Sequence, residues 1–308
     1  MRQLIRFGSV VMVAACPAFT AGPAGAEAAG MHDDAAVTSA VEKAVASAGQ
    51  EPAVPSSGRV ALRDGMVTVA GQAAGSVRMT LPGGTDKKAV SLSAGRSVTR
   101  DAGRGYAVAA ESVRDGARGL VVLKDASAPE RFDFTFDLPK GVSLSPRAGG
   151  RVAIVMKKGA GTLELGDIAA PWARDATGTA LPTRYEVSGS TVTQIVDHRG
   201  ARYPVVADPK LTYGRGVYLN LWGWEGNAIG AALGALIGAG GFVGCNVANV
   251  TGIAGTVVKI ICNAGASKNA VGILKNLGAR NLVPKWCYQN LILPTSGGWR
   301  PVDASNCR

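Results

Sequence analysis

The sequence predicts an α+β, multidomain chain: an all-β, sandwich-like domain followed by a small, mainly helical, disulfide-linked and glycine-rich module. Three features predict it. Short apolar-alternating runs recur between residues 59 and 209, divided by Gly, Pro, Asp or Ser at roughly the 8–12-residue spacing of sandwiches and barrels. From Gly226 to Val258 no Asp, Glu, Lys or Arg occurs, and Gly226, Gly230, Gly234 and Gly238 fall four apart. Four of the five cysteines, Cys245, Cys262, Cys287 and Cys307, lie in this same C-terminal part.

At the amino terminus, Arg2 and Arg6 precede an apolar run from Phe7 to Ala15, and small residues stand at Ala24 and Ala26. This is the pattern of an export signal cleaved after Ala26, so the mature chain is expected to be secreted. The apolar run is shorter than the roughly 20 residues a spanning helix needs. Val13-Ala14-Ala15-Cys16 also resembles a lipoprotein box, which makes a lipid anchor at Cys16 the alternative, with Pro17 speaking against it. Residues 27–58 read as a leader, with a helix over Ala36–Ala48 and a linker, EPAVPSSG, over 51–58.

From Arg59 the period becomes two. In VALRDGMVTVAG, Asp64-Gly65 divides two alternating runs and signals a two-residue hairpin. RFDFTFDL puts Phe132, Phe134 and Phe136 on one face and Asp133, Thr135 and Asp137 on the other. Further strands are expected at Val77–Leu81, Val90–Leu92, Tyr106–Ala110, Leu120–Leu123, Arg151–Met156, Thr162–Leu165, Thr183–Val187 and Thr191–Val196. Trp172 and Tyr185 read as core anchors, and Asp197-His198-Arg199-Gly200 as an exposed turn.

Near the end of this region stand Pro171, Trp172, Asp175, Gly178, Pro182, Thr183, Tyr185 and the run Tyr203-Pro204-Val205-Val206-Ala207-Asp208-Pro209. On these residues the chain resembles a group of uncharacterised exported actinobacterial proteins, in which a β-rich region closes on a YPVVADP-type motif. The resemblance implies that an aromatic segment follows, here YGRGVYLNLWGWE, and then a variable, cysteine-bearing tail. It implies no activity.

The tail, residues 210–308, is expected to be a cationic helical module ending in a hairpin. Glycines four apart share one helix face and let a second helix approach closely. In water each such glycine is worse than alanine by up to about 1 kcal/mol, so the strip Gly226, Gly230, Gly234, Gly238 needs a packing partner or lipid. A second apolar run, NVTGIAGTVVKIIC over 249–262, supplies a partner. Residues 226–244 are mostly glycine and alanine, which makes them a poor membrane span. SKNAVGILKNLGAR over 267–280 reads as an amphipathic helix with Lys268, Lys275 and Arg280 opposite its apolar stripe.

Four cysteines in an exported chain imply two disulfides. Short spacing favours Cys245–Cys262 and Cys287–Cys307. A straight helix over 247–262, however, would cover ~24 Å, far beyond the ~4.4–6.8 Å between linked Cα atoms. Either that helix breaks near Gly252–Gly255, or Cys245 bonds to Cys287 or Cys307. Both arrangements stay open on the sequence.

The charge is uneven. Residues 27–209 carry 22 basic and 20 acidic residues, and residues 210–308 carry nine basic and two acidic ones. The excess draws the tail toward anionic surfaces, through Lys259, Lys268, Lys275, Arg280 and Lys285. No GxSxG, HExxH, paired-carboxylate box or P-loop occurs. No cofactor or metal is expected, since there is no CxxC pair and His32 and His198 stand far from the cysteines. The function expected is that of an exported, non-enzymatic structural or binding protein of the envelope or extracellular space. Its partner would be an anionic membrane, a wall polymer or a protein, and not nucleic acid. The alternatives are a membrane-active, bacteriocin-like module carried by the β-domain, and a secreted peptidase inhibitor presenting LILPTSGGWRP.

Overall fold

Alternating strands bury one face each, and here they do so against one another. The computed structural model describes residues 24–71, 75–92, 95–157, 159, 161–238, 245, 251–263, 270–278 and 281–308. Among the described residues the chain is mostly β, with four α-helices. The smaller sheet runs β1 (Val60–Arg63), β2 (Met66–Ala70), β3 (Ser76–Thr80), β8 (Arg131–Asp137), β14 (Thr191–Val196), β13 (Thr183–Ser188). The larger sheet runs β4 (Val90–Leu92), β5 (Arg96–Gly103), β6 (Tyr106–Val113), β7 (Gly116–Leu123), β16 (Lys210–Trp222), β11 (Thr162–Ile168), β10 (Val152–Lys157), β9 (Val142–Pro146). Off this path, β15 (Val205–Ala207) joins β7 and β12 (Ala173–Arg174), while β17 (Cys287–Leu293) joins β16 and β18 (Thr295–Val302).

The Asp64-Gly65 hairpin forms as expected, with Arg63 opposite Met66. Both turn residues have positive φ, 24° and 68°, the geometry that a type I′ turn requires. Phe132, Phe134 and Phe136 are buried and alternate with exposed neighbours. They meet Val121, Leu165 and Tyr213 of the larger sheet in one core, and Tyr106 packs edge-on to Phe132 at 5.2 Å between ring centroids.

The other face of the larger sheet is covered by α1 (Ala24–Ser47). Val37, Val41, Ala44 and Val45 of the helix lie against Ala107, Ala109, Leu120 and Val122. Buried on both faces, β6 and β7 contain no exposed residue. The expected helix, Ala36–Ala48, is thus the docked end of a longer one that begins at Ala24. Residues 1–23, including Cys16 and the apolar run of the expected export signal, lie outside the described residues. The segment expected as a linker is held as well: the Val54 N–H donates to the Ser112 carbonyl at 2.8 Å.

The larger sheet continues across position 209. β16 pairs with β7 through Lys210–Thr212, with β11, and with β17. The physical reason is visible in VYLNLW, where Val217, Leu219 and Leu221 are buried at period two. The expected C-terminal hairpin is present as β17 and β18, which places LILPTSGGWRP in paired strands.

Three helices follow β16: α2 (Gly223–Gly238), α3 (Gly252–Asn263) and α4 (Ala270–Gly278). Their apolar faces, including Ile229, Leu233, Val257, Ile261, Leu274 and Leu277, join the main core. Among the described residues no helix is long and apolar enough to cross a membrane. Disulfides link Cys245 to Cys262 and Cys287 to Cys307, each with Cα atoms 5.9 Å apart. The first pairing is reachable because α3 starts only at Gly252. The seven residue steps from Cys245 can reach up to ~25 Å, whereas Gly252 to Cys262 in a helix spans only ~15 Å.

Candidate functional site

The small-residue strip of α2 is used at one end. Gly226 and Gly230 are buried, and a Cβ on Gly226 would come within 2.6 Å of Leu282 Cδ1 and 3.4 Å of Leu277 Cδ1. Gly234 is exposed, and a Cβ there would meet nothing within 4 Å. Gly238 ends the helix. Of the expected cationic surface, Lys259, Lys275 and Lys285 are exposed, on α3, on α4 and in the loop before β17. Lys268 and Arg280 lie outside the described residues.

An aromatic edge that the sequence reading missed lies beside Lys285. Most large apolar side chains in a folded chain find cover, and a clustered exception signals a binding surface. Here Trp224 is 50% exposed, Trp286 55% and Val283 44%. Backbone pairing brings them together: the Gly223 N–H donates to the Trp286 carbonyl at 2.8 Å, and the Trp224 N–H to the Pro284 carbonyl at 3.1 Å. The base is rigid. Asn227 donates to the Leu282 carbonyl at 2.8 Å and accepts from the Leu282 N–H at 3.0 Å, and the Glu225 carboxylate accepts from the Trp222 N–H at 2.8 Å. Trp224 also walls a groove of about 470 Å³ with Trp222, Lys157, Thr162 and Ile253. Flat indole faces beside ammonium groups suit a surface that is part apolar and part anionic.

A larger cleft lies elsewhere, where β11 and β16 bulge together. Register slips between Glu164 and Gly166 on one strand, and from Tyr213 to Tyr218 on the other. Gly214 and Gly216 take φ of 70° and 67°, a conformation that glycine reaches without strain, and the bulge presents Arg215 between them. Bulges re-aim side chains and recur beside binding sites. The cleft, about 900 Å³, is lined by Arg59, Arg151, Lys210, Arg215 and Arg300 together with Asp115, Glu164 and Asp167. Arg151 donates to Glu164 at 2.7 Å and lies 3.7 Å from Asp167. Burial pushes the Asp167 carboxyl above its ordinary range. The one legible signal was the Gly-Arg-Gly run inside an otherwise apolar strand.

The residues of the quoted signature serve a buried charge ladder rather than a surface. Arg96, Glu111, Arg118 and Lys210 stand opposite one another across β5, β6, β7 and β16. Glu111 accepts from Arg96 at 2.6 Å and from Arg118 at 2.9 Å. Arg118, wholly buried, also donates to the Glu51 carbonyl at 3.0 Å, while its Nε lies 4.0 Å from Asp208. Burial raises the Asp208 carboxyl to about 7, against the opposing pull of Arg118. Around it, the Trp172 N–H donates to Asp208 at 3.4 Å and the Tyr185 hydroxyl to the Asp208 carbonyl at 3.1 Å. Asp175 caps its own turn by accepting from the Thr177 and Thr179 N–H groups, both at 2.9 Å. The turn at Asp197 differs from expectation in one respect: His198 is buried, its Nδ1 lying 2.7 Å from the Tyr203 hydroxyl. Asp197 is held down to about 2 by the Arg199 guanidinium.

No protein-family model, no curated protein and no solved structure matches this chain.

Proposed function

We propose that the chain is an exported, non-enzymatic binding protein that attaches to a polymer of the cell envelope through its helical cap. The observation that carries this reading is the exposed edge formed by Trp224, Trp286 and Val283 beside Lys285. Two half-exposed indoles on a hydrogen-bonded base offer flat faces for stacking at little entropic loss, and the lysine offers an anion partner. The finer architecture belongs to the same reading. The two sheets act as a sandwich-like carrier, and the glycine-bearing helices as the module that presents the edge. Two disulfides accord with an oxidising compartment, and the resemblance to exported proteins points the same way.

The test is co-sedimentation of the purified chain with isolated cell walls, alongside anionic phospholipid vesicles. Wall binding that falls at least tenfold in Trp224→Ala/Trp286→Ala supports the reading. Binding and leakage confined to vesicles replaces it with the membrane-active alternative, and retention on neither removes both.

A further inference from the structure

We propose that the cleft at the β11–β16 bulge is a second, independent binding site, for a short anionic oligomer carrying carboxylate or phosphate groups. The observation behind it is separate from the tryptophan edge. Most charges in the cleft are already matched. Asp115 pairs with Arg215 at 2.8 Å, and Lys210 with Glu51 at 2.6 Å. Glu164 is buried and bonded to Arg151, which also neighbours Asp167. Among the described residues, two guanidiniums of the cleft have no carboxylate partner. Arg59 donates to the Ala70 carbonyl at 3.0 Å and to the Tyr213 carbonyl at 2.8 Å, and Arg300 donates to the Gln289 amide oxygen at 3.1 Å.

Those neutral acceptors fix where the two arginines sit without cancelling their charge. Arg300, oriented by one neutral bond, keeps further N–H donors for a bidentate carboxylate or phosphate, while Arg59, whose Nε and Nη2 are taken by the two carbonyls, keeps its Nη1 N–H groups for an anionic oxygen. The acids of the cleft are already engaged: Asp115 pairs with Arg215, and Glu164 and Asp167 share Arg151. The two arginines come from opposite ends of the chain, Arg59 just before β1 and Arg300 on β18, and they line one cleft of about 900 Å³. That volume far exceeds a single acetate or phosphate and falls in the range of ligands with several groups. An occupant that engages both arginines therefore carries at least two anionic groups along its length.

The experiment is isothermal titration of the full purified chain at low salt with two probes, tripolyphosphate and triglutamate, and with acetate as the single-charge comparison. Saturable binding of either probe, weakened by added salt, is expected, and the stronger of the two assigns the anionic group. Arg300→Gln should weaken that binding at least tenfold. Asp115→Asn, which releases Arg215 into the cleft, should tighten it severalfold, a gain that misfolding cannot mimic. Lys140→Gln, in the exposed turn before β9, should leave it unchanged. Absence of binding to both probes overturns the proposal. So does acetate binding as tightly as the oligomers, or an equal loss in Arg300→Gln and Lys140→Gln. None of these results depends on the tryptophan edge, whose own test is wall retention.

Discussion

Replacing Arg118 by methionine perturbs one of the most deeply buried charges among the described residues. Its guanidinium is wholly inaccessible and bonds to Glu111 at 2.9 Å and to the Glu51 carbonyl at 3.0 Å. Removing one partner of a buried ion pair typically costs about 3–5 kcal/mol, because the other charge is stranded. Two features keep this case near the lower end. Glu111 retains Arg96 at 2.6 Å, and Asp208 escapes by taking up a proton, which costs little at pH 7 for a carboxyl that already titrates at about 7. A loss of about 3 kcal/mol at pH 7 is therefore expected, read as a lower urea midpoint with an unchanged slope. The loss should grow from pH 7 to pH 9. Without Arg118 the folded Asp208 pKa rises further, so the variant keeps losing stability with pH after the parent has levelled off. A loss below about 1 kcal/mol, or one indifferent to pH, would refute the ladder as an electrostatic unit and leave only side-chain packing.

Two further outcomes follow from the same contacts. The folded Asp208 pKa of about 7 lies above the ordinary value of 3.8. The stability it allows is complete below pH 4 and is lost as pH rises to 7, by about 4 kcal/mol at most. Asp197 and Asp175, whose carboxyls are lowered by Arg199 and Thr177, contribute in the opposite sense below pH 4. Chemical denaturation across pH should thus show greatest stability near pH 4, and Asp208→Asn should flatten the fall between pH 4 and 7; a parent curve rising over that range would contradict this. On α2, Gly226→Ala must displace Leu282, an overpacking of about 1–3 kcal/mol. Gly234→Ala meets open space and should gain up to about 1 kcal/mol of helix propensity. Equal thermal midpoints for the two variants would dismiss the packing role of the strip.

Where period two was uninterrupted the sequence was legible: the Phe132–Phe136 face, the Asp64-Gly65 turn and the hairpin after Trp286 stand as expected. It misled where one element serves two neighbourhoods. β16 begins at Lys210 against β7 and ends beside the helices, so a boundary placed after Pro209 sets a strand apart from the sheet with which it pairs. Among the cysteines, local spacing was right and the objection from helix length failed, because the second helix starts at Gly252 rather than at 247. Neither the tryptophan edge nor the arginine cleft could be read along the chain. Trp224 and Trp286 meet through backbone bonds across 62 positions, and Arg59 and Arg300 across nearly the whole sequence.

The signature ending at Pro209 bears on where binding should be sought. Trp172 and Tyr185 reach Asp208, Asp208 faces Arg118, and the Pro209 carbonyl accepts from the Gly119 N–H at 2.9 Å. These residues are occupied with closing β15 onto β7 and sending the next strand into the sheet. Asp208 is buried and Trp172 and Tyr185 are half-buried against the core for that purpose, so the quoted motif reads as scaffold and says nothing of a ligand. Trp224, Trp286, Arg215 and Arg300 come after it, whereas Arg59, Asp115, Arg151, Glu164 and Asp167 of the cleft come before it. A chain that keeps the buried ladder can change those later residues with little effect on folding, since three of the four are exposed side chains of the cap or cleft rim and Arg300 is an exposed member of β18. If proteins with the same ending bind different partners, the differences should therefore fall at these positions, and exchanging Trp224, Trp286 and Arg300 should alter what is bound while leaving the unfolding free energy within about 0.5 kcal/mol of the parent.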